Sequence, residues 1–166
     1  MTLVEKANIL RETGGLMIRE ATEVAKDYPK IDFDVANVDA LCMWLVKNPE
    51  KYDVLIAENL FGDIISDLAA QLVGGLGFSA SGNIGDRYAI FEPSHGSAPK
   101  YAGLGKANPI AMINAAGMML EWLGEQDKSL AIENAVRKVV RVGRVRTYDM
   151  GGGHHLANGE SGGGKD

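Results

Sequence analysis

The sequence has 166 residues, 46% of them hydrophobic and 23% charged, with a formal net charge of −5 at pH 7. This composition is typical of a globular protein, and the acidic balance gives no indication of binding to nucleic acid or to an anionic membrane. Apolar runs stay below the roughly 18 residues that a membrane span needs. Cys42 is the only cysteine, so we expect a reducing compartment: the cytoplasm, or the mitochondrial matrix of a eukaryote.

The first half of the chain has the pattern of an α/β protein. Apolar residues at helical spacing predict helices, and a short, continuously apolar run is typical of a buried parallel strand. The predicted elements are a helix at 15–27, a strand at 31–36, a helix at 39–46, a strand at 54–57, a turn at 58–62 and a helix at 63–73.

The second half continues this alternation but contains two irregular segments. The predicted elements are a glycine- and serine-rich loop at 74–87, a strand at 88–91, an irregular segment at 92–106, and helices at 109–123 and 129–142. Strands that alternate with helices in this order predict an α/β fold. The glycine-rich residues 151–166 offer little that could pack and are predicted to be a flexible tail.

Two acidic residues follow the predicted buried strand at 54–57. Asp63 and Asp67 are one helical turn apart, so both carboxylates lie on one helix face, at a position where α/β folds bind ligands. A hard divalent cation would relieve the repulsion between them. From the spacing alone, a helix-capping Asp63 beside a solvated Asp67 is the better interpretation.

Three further polar residues are ambiguous when each is taken alone. Lys6 could act as an acid or base, or pair with a substrate carboxylate, but a surface lysine is the simpler interpretation. Asn8 lies two residues later. Asp39 begins a predicted helix, where an acidic residue is ordinary.

The segment from His95 to Gly103 is the most unusual part of the sequence. Its glycines permit a ligand to approach the backbone closely, and it also offers an imidazole, a hydroxyl, a cation and a phenol. It could hold a nucleotide, or it could be only a structured loop. His154 and His155 lie in the glycine-rich tail, and we expect no native role for them.

Several phrases, taken together, resemble the isocitrate, isopropylmalate, homoisocitrate and tartrate dehydrogenases. They occur in the order and at about the separations that are typical of that family, over about residues 2–150. The phrases are Lys6-Ala7-Asn8, Asn37-Val38-Asp39-Ala40, Asn59-Leu60-Phe61-Gly62-Asp63-Ile64-Ile65-Ser66-Asp67, His95-Gly96-Ser97-Ala98-Pro99 and Ala107-Asn108-Pro109.

The resemblance implies an open α/β fold of the isopropylmalate/isocitrate dehydrogenase type, which is not a Rossmann fold. The absence of a G-x-G-x-x-G motif between a strand and a helix agrees with this. Family members are about twice as long, so only the C-terminal half is expected here. Residues 1–75 are then part of the central, dimerisation domain with the metal-binding helix, 76–150 the C-terminal part of the cofactor-binding domain, and 151–166 a flexible tail.

The resemblance also implies a metal site and catalytic residues in a homodimer whose active sites use both subunits. Asp63 and Asp67 are expected to bind Mg²⁺ or Mn²⁺ together with Asp39 of the partner subunit. Lys6, also from the partner, is the expected catalytic lysine, and Asp39 also belongs to the expected catalytic set. Asn8 is expected near the substrate and the nicotinamide.

By the same resemblance, a second group of residues binds the cofactor. The expected adenosine contacts are His95, Gly96, Ser97, Ala98 and Asn108. Lys100, Tyr101 and Tyr148 resemble residues of NADP-dependent members, so NADP is favoured over NAD. An arginine expected four residues after Tyr148 is replaced by Gly152, which weakens that preference.

The implied reaction is the oxidative decarboxylation of a 2-hydroxy acid with NAD(P)⁺. Isocitrate is favoured, and isopropylmalate or homoisocitrate remain possible. The other half of the family's chain supplies the substrate arginines and a catalytic tyrosine, so this chain is expected to be inactive alone, as a fragment or split subunit. The alternatives are a non-catalytic regulatory or assembly subunit and a stand-alone nucleotide- or metal-binding module. The retained Asp39, Asp63 and Asp67 argue against the regulatory alternative.

Overall fold

The computed structural model describes residues 1–152, which divide into two compact units between Leu72 and Val73. The expected tail from residue 153 onward, with His154 and His155, lies outside the described residues. The first unit contains, in chain order, β1 (Thr2–Glu5), α1 (Arg11–Ala25), β2 (Asp34–Asn37), α2 (Val38–Lys47), β3 (Leu55–Ala57) and α3 (Asn59–Leu72). The domain roles assigned to the two parts of the chain stay predictions.

A three-stranded parallel sheet with β1 in the middle organises the first unit. The predicted parallel strand at 54–57 is confirmed as β3. We did not predict β1, because four residues are too few to show a period and because Glu5 adds a charge to an otherwise apolar strand. Leu3 and Val4 are nevertheless 0% exposed, the most buried side chains of the sheet.

The core of the first unit lies between this sheet and two helices. Val4 from β1 packs with Leu41 and Leu45 of α2 and with Ile65 of α3. Each such side chain contributes about 1.5–3 kcal/mol when it is fully buried rather than exposed. The spacing of the two leucines by four residues places both on one face of α2, which is what the helical periodicity of the sequence predicted.

Helix α3 begins earlier than the sequence suggested. The predicted turn at 58–62 is wrong, because Glu58 accepts hydrogen bonds from the backbone N–H groups of Leu60 (3.1 Å) and Phe61 (3.0 Å). A side-chain carboxylate that satisfies these otherwise unpaired donors stabilises a helix start. Helix α1 likewise starts at Arg11, four residues before the predicted Gly15.

The second unit consists of an antiparallel ribbon and two helices. Its elements are β4 (Ala80–Ile84), β5 (Ala89–Pro93), α4 (Ile110–Trp122) and α5 (Gln126–Val142). The prediction of a loop throughout 74–87 is wrong, since β4 lies within it and pairs with β5. Glycine and serine weaken a strand taken alone, and here the pairing with β5 outweighs that weak local preference.

Helix α4 is the centre of the second unit. It packs against both strands of the ribbon and against α5, and it buries Ile110, Ala111 and Ala115. Phe91 of β5 lies near Trp122, with ring centroids 6.3 Å apart in a tilted arrangement, a favourable geometry for aromatic pairs. Among the residues from 1 to 152, no helix is long and apolar enough to cross a membrane.

Candidate functional site

The carboxyl ends of the three parallel strands meet at one edge of the first unit's sheet. Glu5, the last residue of β1, is in register with Asn37, the last residue of β2. Val4 is in register with Ala57, the last residue of β3. The residues that follow these strands therefore share one edge, which is where open α/β sheets bind their ligands.

Two of the predicted site residues contact each other at this edge. The Lys6 Nζ donates a hydrogen bond to Asp39 Oδ1 at 2.5 Å, although the two residues are 33 positions apart. This hydrogen bond lowers the pKa of the Asp39 carboxyl below its ordinary value. The Lys6 side chain is 21% exposed and that of Asp39 is 68% exposed, so the pair is formed by a half-buried cation and a carboxylate open to solvent.

The turn that carries Lys6 is fixed on both sides. The buried Glu5 carboxylate accepts a hydrogen bond from the Ala7 N–H. The Lys6 carbonyl accepts from the N–H groups of Ile9 (2.9 Å) and Leu10 (2.8 Å). We did not predict this role for Glu5; the signal in the sequence was a charge at the end of an apolar run. Asn8 is exposed in the same turn.

Asp63 and Asp67 lie one turn apart on the exposed side of α3, as their spacing predicted. Ile65 between them is buried against the core. Neither carboxylate forms an ion pair with another residue of the described part of the chain. Two unpaired carboxylates at this spacing fit two ligand positions of a Mg²⁺ or Mn²⁺ ion.

Residues 1–152 do not assemble a complete metal site by themselves. Among residues 1–152, no group of three or more His, Cys, Asp or Glu side chains is close enough together to hold a metal ion. Asp39 is instead turned to Lys6. The structure therefore brings Lys6 and Asp39 together as one pair and Asp63 and Asp67 together as another.

In the second unit, the predicted nucleotide loop follows β5. His95 Nδ1 lies 2.9 Å from the Gly96 carbonyl oxygen, and the Tyr101 N–H donates to the Ala98 carbonyl at 2.9 Å. Ala98 has φ 42° and ψ 59°, and it is the one non-glycine residue with positive φ in the described chain. This left-handed conformation costs about 1–2 kcal/mol for an L-residue, and such strain is often found in ligand-binding loops.

Four side chains of the second unit form a group that we name the lysine–tyrosine cluster: Lys100, Tyr101, Lys106 and Tyr148. The Nζ atoms of Lys100 and Lys106 lie 5.0 Å and 5.4 Å from the centroid of the Tyr101 ring. Lys106 Nζ is also 5.1 Å from the centroid of the Tyr148 ring. The structure thus gathers three of the predicted cofactor residues and adds Lys106, which no sequence pattern had identified.

Asn108 is turned into the second unit. Its side chain donates to Asp149 Oδ2 at 2.9 Å and accepts from the Ile110 N–H at 3.0 Å, so it caps α4 and connects that helix to the segment after α5. Asn108 is only 9% exposed. The predicted adenosine contact of Asn108 stays a prediction, and its structural role was not visible in the sequence.

The match to a known family covers nearly the whole chain. Residues 1–163 match the model of the family described as isocitrate/isopropylmalate dehydrogenase. The chain belongs to the isocitrate/isopropylmalate dehydrogenase family. It is 49% identical to a 3-isopropylmalate dehydrogenase from Archaeoglobus fulgidus over 152 residues, which are 92% of this chain and 46% of that protein.

Two other members of the isocitrate/isopropylmalate dehydrogenase family are similar to this chain over about the same share of their length. An isocitrate/homoisocitrate dehydrogenase from Thermus thermophilus is 52% identical over 150 residues, 90% of this chain and 45% of that protein. The crystal structure of isocitrate dehydrogenase from Methylococcus capsulatus superimposes with a TM-score of 0.87 at 55% identity, covering 90% of this chain and 44% of that one. The α/β fold is therefore that of isocitrate dehydrogenase structures, and the chain spans about half the length of the relatives it matches.

Proposed function

We propose that this chain is the C-terminal half of a metal- and NADP-dependent dehydrogenase that oxidatively decarboxylates a 2-hydroxy acid, with isocitrate the favoured substrate. The observation that carries the proposal is the contact between Lys6 and Asp39 within one chain. The expected catalytic lysine and the expected third metal ligand form one unit, while Asp63 and Asp67 form another. In a homodimer, each subunit would place its Lys6–Asp39 pair next to Asp63 and Asp67 of the other subunit. Both active sites would then be complete.

The metal-binding role rests on the carboxylates. Asp63 and Asp67 offer two oxygen ligands from one face of α3, and Asp39 of the partner subunit is the third. Mg²⁺ or Mn²⁺ held there would polarise the hydroxyl and carboxylate oxygens of the substrate. Asp39 would serve this ion as a ligand while lying beside Lys6, the proposed proton-transfer residue.

The proton-transfer role belongs to Lys6. A bound nicotinamide would accept the hydride from the hydroxyl-bearing carbon, and the hydroxyl proton would have to leave at the same stage. Loss of the β-carboxylate as CO₂ leaves an enolate carbon that must gain a proton. A lysine that is 21% exposed and held by a carboxylate is suited to moving protons in these steps. Asn8, in the same turn, is assigned to the substrate and nicotinamide.

The cofactor role is assigned to the second unit. His95, Gly96, Ser97, Ala98 and Asn108 are the proposed adenosine contacts. Lys100, Tyr101 and Tyr148 are the proposed contacts for the 2′-phosphate that distinguishes NADP from NAD. The chemistry of the lysine–tyrosine cluster supports this assignment, because ammonium groups and phenol hydroxyls suit a phosphate dianion.

Activity should depend on a second half-chain. We would mix this chain with the N-terminal half of the Thermus thermophilus isocitrate/homoisocitrate dehydrogenase and follow the absorbance of reduced cofactor with Mn²⁺, NADP⁺ and isocitrate. NAD⁺ and 3-isopropylmalate serve as the alternative cofactor and substrate. We expect turnover only in the mixture, and Asp67→Asn should reduce it by roughly a hundredfold or more, since even outer-shell metal partners are worth 10–100-fold.

Asp127→Asn is the matched control for that experiment, because Asp127 is exposed in the first turn of α5. It should keep the activity of the unaltered chain. If both halves are folded and associated but no substrate turns over, the catalytic proposal is wrong and a regulatory subunit becomes the better hypothesis.

Mixing variants tests how the site is shared between subunits. With the N-terminal half present throughout, Lys6→Ala and Asp67→Asn chains should each be inactive alone. Mixed in equal amounts, they should recover about a quarter of full activity, because half of the dimers then contain one intact site of two. Lys6→Ala mixed with Asp39→Asn should stay inactive. Each site takes both residues from the same subunit, so every site of a mixed dimer still lacks one of them. Recovery in the second mixture would show that Lys6 and Asp39 serve different sites.

A further inference from the structure

The lysine–tyrosine cluster places two positive charges on one ring. Lys100 and Lys106 both approach Tyr101, at 5.0 Å and 5.4 Å from its centroid. Within residues 1–152, no carboxylate forms an ion pair with either ammonium group. Each cation gains a modest attraction from the ring, but the two repel one another. An anion bound beside both would remove that repulsion.

Lys106 differs from Lys100 in its position and contacts. It is half-buried, whereas Lys100 is exposed. It also lies against two rings, those of Tyr101 and Tyr148, which come from distant parts of the sequence. Removal of its charge would therefore affect both the electrostatics of the cluster and the contact that Lys106 makes with each of the two rings.

We propose that Lys106 is a specificity-determining residue for a phosphate monoester on the ribose of the cofactor: it positions Tyr101 and Tyr148 through its contacts with both rings and adds a second cation to Lys100. A phosphate monoester carries a charge of about −1.5 to −2 at pH 7, which matches two ammonium groups better than one. The inference rests on the proposed NADP-dependent function and assigns part of its selectivity to a residue outside the loop motif.

The segment after Tyr148 gives a reason why a lysine at position 106 has this role. A Cβ atom at Gly152 would lie 2.0 Å from the Arg146 carbonyl oxygen and 2.9 Å from that of Thr147. No side chain fits there without a backbone shift. A cation cannot come from position 152 in this conformation, and Lys106 already places one 5.1 Å from the Tyr148 ring centroid.

Binding measurements on the full chain test the inference without activity. The dissociation constants of NADP⁺ and NAD⁺, which differ only in the 2′-phosphate, would be measured by calorimetric titration. Lys106→Met should weaken NADP⁺ binding by about tenfold or more, the scale of one lost charge-assisted contact, and leave NAD⁺ binding unchanged. Lys106→Arg should restore most of the NADP⁺ affinity because it keeps the charge.

Lys47→Met is the matched control, because Lys47 also lies over an aromatic ring, 5.2 Å from the centroid of Trp44, in the first unit. It should alter neither dissociation constant. Tyrosine ring resonances in the free protein provide a second readout: Lys106→Met should shift those of Tyr101 and Tyr148, and Lys47→Met should not.

The outcomes separate this inference from the proposed function. If Lys100→Met weakens NADP⁺ binding and Lys106→Met does not, the role of Lys106 is refuted and the NADP site stands. If the unaltered chain binds NADP⁺ no better than NAD⁺, the phosphate preference is wrong, and the role of Lys106 with it. If affinity falls but neither ring resonance moves, Lys106 does not position the tyrosines.

Discussion

The two units hold their candidate functional residues in different ways. In the first unit these residues follow the carboxyl ends of parallel strands, so the register of β1 with β2 is enough to bring Lys6 to Asp39. In the second unit they lie on loops and are held by side-chain contacts between distant parts of the chain, such as that of Asn108 with Asp149, 41 positions away. Backbone pairing builds one site, and individual side chains build the other.

The largest effect on stability that follows from this comparison is expected at Asn108. Asn108→Ala removes both the cap of α4 and the hydrogen bond to Asp149 in a nearly buried place. We expect a loss of about 1–3 kcal/mol in the free energy of unfolding, measured by denaturant titration. A double-mutant cycle with Asp149→Ala should show that the two losses are not additive.

Asn83→Ala is the control for that loss. Asn83 is exposed in β4 and makes a longer hydrogen bond, 3.3 Å, to Glu92. It should change the free energy of unfolding by no more than about 0.5 kcal/mol. Equal losses of unfolding free energy for Asn83→Ala and Asn108→Ala would contradict this view of the second unit. Its candidate cofactor residues would then not depend on the buried contacts of Asn108.

Two adjacent glycines of α1 test whether backbone packing sets the first site. A Cβ atom at Gly15 meets nothing within 4 Å, so Gly15→Ala should stabilise the protein by roughly 0.5–1 kcal/mol. A Cβ atom at Gly14 would lie 3.0 Å from Ala7 Cα, in the turn that carries Lys6. We expect Gly14→Ala to be at least about 1 kcal/mol less stable than Gly15→Ala, by thermal or denaturant unfolding.

The smallest effect concerns the pH dependence of the Lys6–Asp39 pair. Because Lys6 lowers the pKa of Asp39 from its ordinary 3.8, the pair stabilises the folded state above that value and loses this contribution as the pH falls through the lowered pKa. Asp39→Asn should remove this acid-dependent part, and added salt should weaken it because Asp39 is exposed. Asp53→Asn, another exposed aspartate, should leave the acid limb unchanged. The measurement is the free energy of unfolding of the unaltered chain and of both variants, from neutral to acidic pH.

Much of the fold could be predicted from local patterns, and the exceptions have physical causes. The helices that carry Leu41 and Ile65 show a helical period, and β3 is a continuous apolar run. Strand β1 was missed because it is short and ends in a charge, and β4 because its glycine and serine residues form a strand only when paired with β5.

The candidate sites were predictable only in part. The spacing of Asp63 and Asp67 predicted only that both lie on one face of a helix, and their role as metal ligands came from the resemblance to a family. The contact of Lys6 with Asp39 depends on strand register, and the position of Lys106 against Tyr148 depends on tertiary packing. No local pattern reports either contact, so the grouping of these residues came from the resemblance to a family, and Lys106 came from the structure alone.

The position of β1 in the sheet and in the sequence also has a consequence during synthesis of the chain. It is the central strand of its sheet and precedes both of its partners, which begin at Asp34 and Leu55. During synthesis, the edge of β1 that pairs with β2 stays unpaired until residues 34–37 have been made, and the edge that pairs with β3 stays unpaired until residues 55–57 have been made. How long Leu3 and Val4 stay exposed in each new molecule is therefore set by the rate of translation rather than by the stability of the finished fold.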